Sequence, residues 1–301
     1  MRVFVTGATG NIGSKVVREL ISAGHQVIGL CRSDAKAPAL AAMGAEVYRG
    51  SIAEPESLKE GAARSDGVIH LAFNHDFSRF AQNCEDDRLV VKALGDVLAG
   101  SDRPLIMTSG TPIANTVPGE PAREGNATVG SETHPRAASE EAAAAAASQG
   151  VNVSVVRLPQ VHDRITQGLI TPAIRMFRDM GMCAYVGDGS NRWPAAHALD
   201  VARLYRLAVE RAEPDAKYHA VAEEGVPMRD IATAIGERLN LPVRSIPEDE
   251  TEAVFGWLAL FAGHDMPASS ERTRAGLNWN PTGPDLLSDL AQLNISSEGQ
   301  V

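Results

Sequence analysis

The 301-residue sequence predicts an α/β protein, with a doubly wound parallel sheet followed by a smaller, mostly helical lobe. Three observations predict it. Short β-rich runs alternate with helical patterns through the first half, the order that builds a parallel sheet with helices on both faces. A glycine-rich turn joins the first strand to the first helix. After the sixth strand the alternation loosens and helical spacing dominates. The chain therefore divides into a sheet domain over 1–165 and a substrate-facing lobe over 166–301, with some strands and helices exchanged between the two.

The first strand covers 3–6. Residues 11–23 follow as a helix, with Ile12, Val16, Val17, Leu20 and Ile21 on one face and Gly24 as the stop. Strand 26–31 leads to a helix over 35–43 that Gly44 closes. Strand 46–49 leads to a helix over 54–63, with Pro55 placed where a missing N–H is harmless. Strands at 67–71 and 105–108 enclose a helix at 86–99, and a helix at 139–148 precedes strand 153–156. The run Val68-Ile69-His70-Leu71-Ala72 is apolar enough for burial on both faces. Residues 142–147 are all alanine, a strong helix former whose small side chains permit close helix approach or a subunit contact.

Residues 111–133 break this pattern. They hold Pro112, Pro118, Pro121, Gly119, Gly125 and Gly130, and they lie where the carboxyl edge of the sheet opens onto a ligand crevice. Beyond 165, helices are expected at 171–180, 199–211, 228–239, 250–261 and 286–293, with a short strand at 218–222. The polar segment 296–301 is expected to be disordered.

A net charge of −10 gives nucleic acid no electrostatic footprint. The apolar stretch at 253–262 falls short of the roughly 20 residues of a membrane span. No signal-peptide pattern precedes the first strand. Cys31, Cys84 and Cys183 are scattered, without metal-ligand or redox spacing. These features point to a cytoplasmic protein without a metal site, acting on a small molecule.

The motif Thr6-Gly7-Ala8-Thr9-Gly10-Asn11-Ile12-Gly13 sits between a strand and a helix. Gly7 permits the tight turn, Gly10 lets backbone approach a pyrophosphate, and Gly13 allows the helix to pack closely. The phosphates would lie against free N–H groups at the helix start. This is the Rossmann dinucleotide fingerprint in its full context. An NAD site usually carries a carboxylate at the tip of strand two. Here the tip reads Leu30-Cys31-Arg32-Ser33. Cys31 takes the acidic position, Arg32 can pair with a 2′-phosphate, and Ser33 adds a hydroxyl. NADP(H) is therefore expected ahead of NAD(H), and Asp34 tempers the preference.

The glycine motif, His70-Leu71-Ala72, Met107-Thr108-Ser109-Gly110, Arg157-Leu158-Pro159-Gln160-Val161-His162, His197-Ala198-Leu199-Asp200-Val201-Ala202 and Leu277-Asn278-Trp279-Asn280-Pro281 carry a resemblance. Over about residues 1–293 the chain resembles an extended short-chain dehydrogenase/reductase. It is most similar to the atypical branch known as NAD-dependent epimerase/dehydratase or 3β-hydroxysteroid-dehydrogenase-like. The resemblance implies that Ser51 and Ile52 contact adenine, although the family often has an aspartate where Ser51 stands. It implies that Leu71, Ala72, Phe73 and Thr108 line the cofactor, and that Leu158, Pro159 and Val161 lie near the nicotinamide. It also implies a homodimer through helices 86–99 and 139–148.

The family's chemistry uses a Ser, a Tyr and a Lys four residues after the Tyr. All three are altered. The serine position falls on Gly110, between Ser109 and Thr111, and the Tyr-to-Lys stretch reads Arg136-Ala137-Ala138-Ser139-Glu140. None of Tyr48, Tyr185, Tyr205 or Tyr218 has a lysine four residues on. Four replacements are candidates for catalysis. Glu140 would take over the ribose-positioning role of the lysine. Arg136 would polarise a substrate oxygen or bind a carboxylate, since its pKa above about 12 makes it a poor proton donor. Ser109 and Thr111 would hydrogen-bond a carbonyl. His134, His162, His197 and Tyr185 are further acid–base candidates. Tyr185, Arg192, Trp193 and His197 would line the substrate, while Phe255, Trp257, Leu258, Leu260 and Phe261 fit core or pocket lining. The reading that follows is an NADP(H)-dependent reductase of a small organic substrate without the usual Ser-Tyr-Lys set. Its rivals are an epimerase, dehydratase or isomerase that retains its nucleotide, and a non-catalytic NADP(H)-binding sensor.

Overall fold

The structure, a computed structural model, describes residues 1–294, so the expectation for 296–301 lies outside the described residues. The alternation runs β1 (Arg2–Thr6), α1 (Asn11–Ser22), β2 (Gln26–Cys31), α2 (Ala37–Ala42), β3 (Glu46–Arg49), α3 (Lys59–Ala63), β4 (Gly67–His70), α4 (Phe80–Leu98), β5 (Leu105–Gly110), α5 (Ala137–Ser148) and β6 (Val153–Leu158). There follow β7 (Gln160–His162), α6 (Ile170–Met180), β8 (Cys183–Val186), β9 (Arg192–His197), α7 (Ala198–Arg211), β10 (Lys217–His219), β11 (Glu223–Pro227), α8 (Met228–Leu239) and β12 (Val243–Ile246). Seven strands form one parallel sheet in the order β10-β6-β5-β4-β1-β2-β3. The order reverses between β1 and β4, and a ligand crevice opens at such a reversal, outside the carboxyl ends of the strands.

Both faces of the sheet are covered. Alternation along a strand sends Val3 and Val5 to the side of α1 and α7, and Phe4 to the side of α3, α4 and α5. Ile69, Ile106 and Val156 join the first core; Val68, Leu105 and Met107 join the second. On that second side α4 and α5 meet closely, and a Cβ added at Gly95 would stand 3.2 Å from the Cβ of Ala146. The alanine-rich helix is thus a packing surface.

The lobe contains helices and also two small sheets, β11-β9-β7 and β12-β8, whose short strands have no clear signature in the sequence. The helix expected over 250–261 is broken into Thr251–Phe255 and Ala259–Ala262. Gly256, at φ +51°, ends the first piece in a backbone region that side chains disfavour. Trp257 follows it, half-buried and packed against the edge of the lobe core. Among the described residues, no helix is long and apolar enough to cross a membrane.

Residues 111–136 are irregular but tied down. Ala122 bridges to Ala268, with Ala122 N–H donating to the Pro267 carbonyl at 2.8 Å. The Glu124 carboxylate accepts from both the N–H and the hydroxyl of Thr273.

Candidate functional site

The glycine turn is built as a phosphate cradle. Gly7 sits at φ +69°, and a Cβ there would lie 2.9 Å from the Ala72 nitrogen. A Cβ on Gly13 would lie 2.0 Å from the Gly7 carbonyl oxygen, so α1 reaches this turn only as glycine. Gly10 caps α1 without any side-chain bond, which leaves the first N–H groups open for an anion. These features fit a bound dinucleotide. Asn11 is held beside the cradle, donating to Thr166 and accepting from Lys15 at 2.6 Å. Lys15 in turn pairs with Asp163 at 2.8 Å.

At the tip of β2, Arg32 and Ser33 are exposed, and Cys31 is buried with its thiol donating to the Ser33 carbonyl at 3.1 Å. Arg32 has no hydrogen-bond or ion-pair partner among the described residues. Arg49, whose Cα lies opposite Cys31 in the β2–β3 register, pairs with Asp34 at 2.6 Å. Ser51 and Ile52 follow on the loop after β3, where the Ser51 hydroxyl accepts from the Ala53 N–H at 3.2 Å.

Next to the cradle runs a buried polar relay. Thr6 Oγ1 accepts the N–H groups of Leu71 and Ala72, both at 3.1 Å. Its own proton is thus left to donate to His70 Nδ1, 2.7 Å away. That fixes the His70 tautomer, and Nε2–H donates to Asp87 Oδ1 at 2.9 Å. Asp87 Oδ2 accepts from Ser139 at 2.5 Å and from Arg136 Nη1 at 2.8 Å. Arg136 Nη1 also reaches Ser139 Oγ, and Nη2 donates to the Thr108 carbonyl at 2.7 Å. Thr108 donates its hydroxyl proton to the His70 carbonyl at 2.6 Å, so the buried Tyr205 hydroxyl donates to Thr108 Oγ1 at 2.7 Å. Burial pushes the Asp87 pKa up, but the charge of Arg136 and the bonds from His70 and Ser139 outweigh it. Asp87 is held well below the usual carboxylate range.

Arg136 holds its guanidinium 4.5 Å above the ring of Phe73. Phe73 meets Phe80 edge-on, Phe80 stacks on Phe77, and Phe77 lies 4.2 Å from Trp257 with the rings nearly parallel. His134 meets Phe80 edge-on. Burial, then the charge of Arg136, lowers the pKa of His75; burial, with a further contribution from Arg136, lowers that of His134. Neither is a charged acid near neutral pH. Ser109 Oγ is buried without a partner among the described residues, while the Thr111 hydroxyl makes a long 3.5 Å bond to the Leu158 carbonyl.

Two sequence expectations are corrected. Glu140 is not free to hold a ribose. Its carboxylate takes Nε and Nη2 of the fully buried Arg157, each at 2.8 Å. Nor are Tyr185, Arg192, Trp193 and His197, expected to line the substrate, all free to do so. Trp193 is fully buried in the lobe core, because its side of β9 faces that core, and its Nε1 has no partner among the described residues. Arg192 is clamped by Asp265 and donates to the Gly119 carbonyl. His197 caps α7 and meets His162 edge-on, beside Asp289. Tyr185 pairs through β8 with Ser245 of β12.

The residues that sequence reasoning passed over are Asp87 and Ser139. The signal for Asp87 was a carboxylate on the apolar stripe of α4, in line with Asn83, Val91, Leu94 and Leu98. The sequence reading started this helix at 86, which hid the stripe's first turn.

Residues 3–222 match the model of the NAD dependent epimerase/dehydratase family. An uncharacterized protein of Schizosaccharomyces pombe is 43% identical over 299 residues, covering 97% of this chain and 98% of its own. An uncharacterized protein of Saccharomyces cerevisiae is 43% identical over 293 residues, covering 96% and 98%. Among solved structures, a dTDP-glucose 4,6-dehydratase of Streptomyces venezuelae with NAD and TYD bound superposes with a TM-score of 0.76 at 18% identity, covering 97% of this chain and 95% of its own.

Proposed function

The chain belongs to the NAD-dependent epimerase/dehydratase family, and from that premise we propose that it is an NADP(H)-dependent reductase of a small organic substrate. The observation that carries the proposal is Arg136, fixed by Asp87 and the Thr108 carbonyl over the ring of Phe73, with its Nε–H unpaired among the described residues; we read it as standing in for the family's tyrosine. When bound, the cofactor supplies the hydride. The glycine cradle holds the pyrophosphate, and Arg32 with Ser33 holds the 2′-phosphate. Arg136 stabilises negative charge developing on a substrate oxygen but cannot deliver a proton near neutral pH. Ser109, a buried hydroxyl without a partner among the described residues, supplies a second donor. Solvent provides the proton. An acceptor whose charge delocalises onto oxygen therefore suits this site better than a simple ketone.

The test is a fluorescence titration with NADPH and NADH, followed by a screen of conjugated alkenes, imines and simple ketones. NADPH should bind at least tenfold more tightly, Arg32→Ala should abolish that margin, and conjugated acceptors should oxidise NADPH. Equal affinities overturn the cofactor assignment. Tight binding without turnover of any acceptor points to the sensor reading, and nucleotide surviving dialysis to the epimerase reading.

A further inference from the structure

The unpaired edge of Arg136 and the aromatic wall beside it point to a substrate class. We propose that this part of the site binds a planar aromatic or conjugated carboxylate, with its carboxylate on Arg136 and its ring against the wall. The inference rests on the reading of Arg136 as a substrate contact.

The molecule itself shows what such an edge takes. Arg157 gives Nε and Nη2 to the two oxygens of Glu140, each at 2.8 Å. Arg192 gives the same pair to Asp265, at 3.0 and 2.7 Å. A planar Nε/Nη2 edge matches the two oxygens of a carboxylate. Arg136 is held differently. Asp87 and Ser139 sit on Nη1, and Nη2 gives one N–H to the Thr108 carbonyl. That leaves Nε–H and the second Nη2 hydrogen without a protein partner among the described residues. Internal bonds lock the guanidinium in place, so a ligand would meet a preorganised edge.

The wall supplies the shape. Phe73, Phe80, Phe77 and Trp257 form a chain of touching rings from beneath Arg136 to the lobe, with centroid separations of 6.4, 5.5 and 4.2 Å. His134 closes its side at 6.2 Å from Phe80. All five rings are partly exposed, unlike the fully buried Trp193 and Trp279. Ring faces and edges of this kind favour a flat π-system over a saturated chain.

The test is calorimetric titration of the NADP⁺-saturated protein with trans-cinnamate, cinnamamide and cyclohexanecarboxylate. Cinnamate should bind at least tenfold more tightly than either comparison. Arg136→Lys keeps the charge beside Asp87 but loses the edge, and should cut the margin over cinnamamide to about twofold. Trp257→Leu should do the same to the margin over the saturated acid. Equal affinity for the three probes, no binding of any, or an unchanged margin in Arg136→Lys overturns the inference. NADP⁺ affinity is measured first. Its absence overturns the proposed function and this inference with it, while normal NADP⁺ binding without probe discrimination overturns this inference alone.

Discussion

Asp87 on α4 holds Arg136, at the start of α5, at 2.8 Å, and through its other oxygen holds His70 at the end of β4 at 2.9 Å. One carboxylate thus ties Arg136 to the strand beside the glycine turn. Its pKa is depressed in the fold, because Arg136 and His70 outweigh burial. A depressed pKa stabilises the fold fully above the unfolded value of about 4 and loses that contribution as pH falls further. Asp87→Asn should therefore cost about 3 kcal/mol at pH 7. The gap from wild type should narrow below about pH 4, where the unfolded wild-type chain takes up a proton that the folded Asp87 still refuses. Urea unfolding at pH 7 and pH 3 checks this; a gap of equal size at both would show that charge is not the source.

Glu140→Gln separates a structural role from a ribose-binding one. The substitution leaves Arg157 buried without its counter-charge and should destabilise the protein by about 3–5 kcal/mol. NADPH affinity, measured by fluorescence below the unfolding temperature, should change less than twofold. A tenfold loss of affinity with little loss of stability would restore Glu140 to the cofactor site. The same buried group includes His219, which lies 3.2 Å from Arg157 and whose pKa burial and that charge push down to about 4. His219 takes up a proton on unfolding between about pH 4 and 6.5, so its contribution makes stability rise with pH across that window.

Ser109→Ala removes a buried hydroxyl that has no partner among the described residues. Relief of an unsatisfied polar group should leave stability unchanged or raise it by up to about 1 kcal/mol. Loss of a substrate donor should lower kcat/KM about tenfold. Steady-state kinetics alongside thermal unfolding distinguishes the two effects, and full activity in the variant removes Ser109 from the site.

Asp34→Asn should tighten NADPH. The carboxylate engages Arg49 beside the tip of β2 and adds negative charge near the place assigned to the 2′-phosphate. Because the pair is exposed, the gain should be modest, about fivefold or ~1 kcal/mol. NADH affinity should stay constant. An equal gain for both nucleotides would mean that Asp34 acts on some other part of the cofactor.

The dinucleotide half was legible because its signals are local. Gly7, Gly10 and Gly13 act within one turn, and the strand and helix around them announce themselves by periodicity. The relay was not legible, because Thr6, His70, Asp87 and Arg136 lie on four elements that only the sheet order brings together. Glu140 misled for the same reason. Its partner Arg157 is 17 residues away, on the last strand of the βα alternation. Trp193 misled because β9 was not expected as a strand, so nothing indicated which side of it faces the lobe core. Residues 250–261 show the converse, where helical spacing was real but a single left-handed glycine overrode it.

The chain's route has a consequence for any attempt to divide it. After leaving the sheet at 158 it builds part of the lobe, then comes back: α7 packs on α1, and β10 takes the open edge of β6. The returning helix is itself secured from downstream, since Trp279 donates to the Asp200 carbonyl at 3.0 Å and the Asp200 carboxylate accepts the N–H groups of Thr282 and Gly283. A fragment cut at 165 would expose an unpaired strand and bare one apolar flank of α1. The nucleotide half and the lobe are therefore interlocked by the chain's own path, and each depends on segments that a cut at 165 assigns to the other.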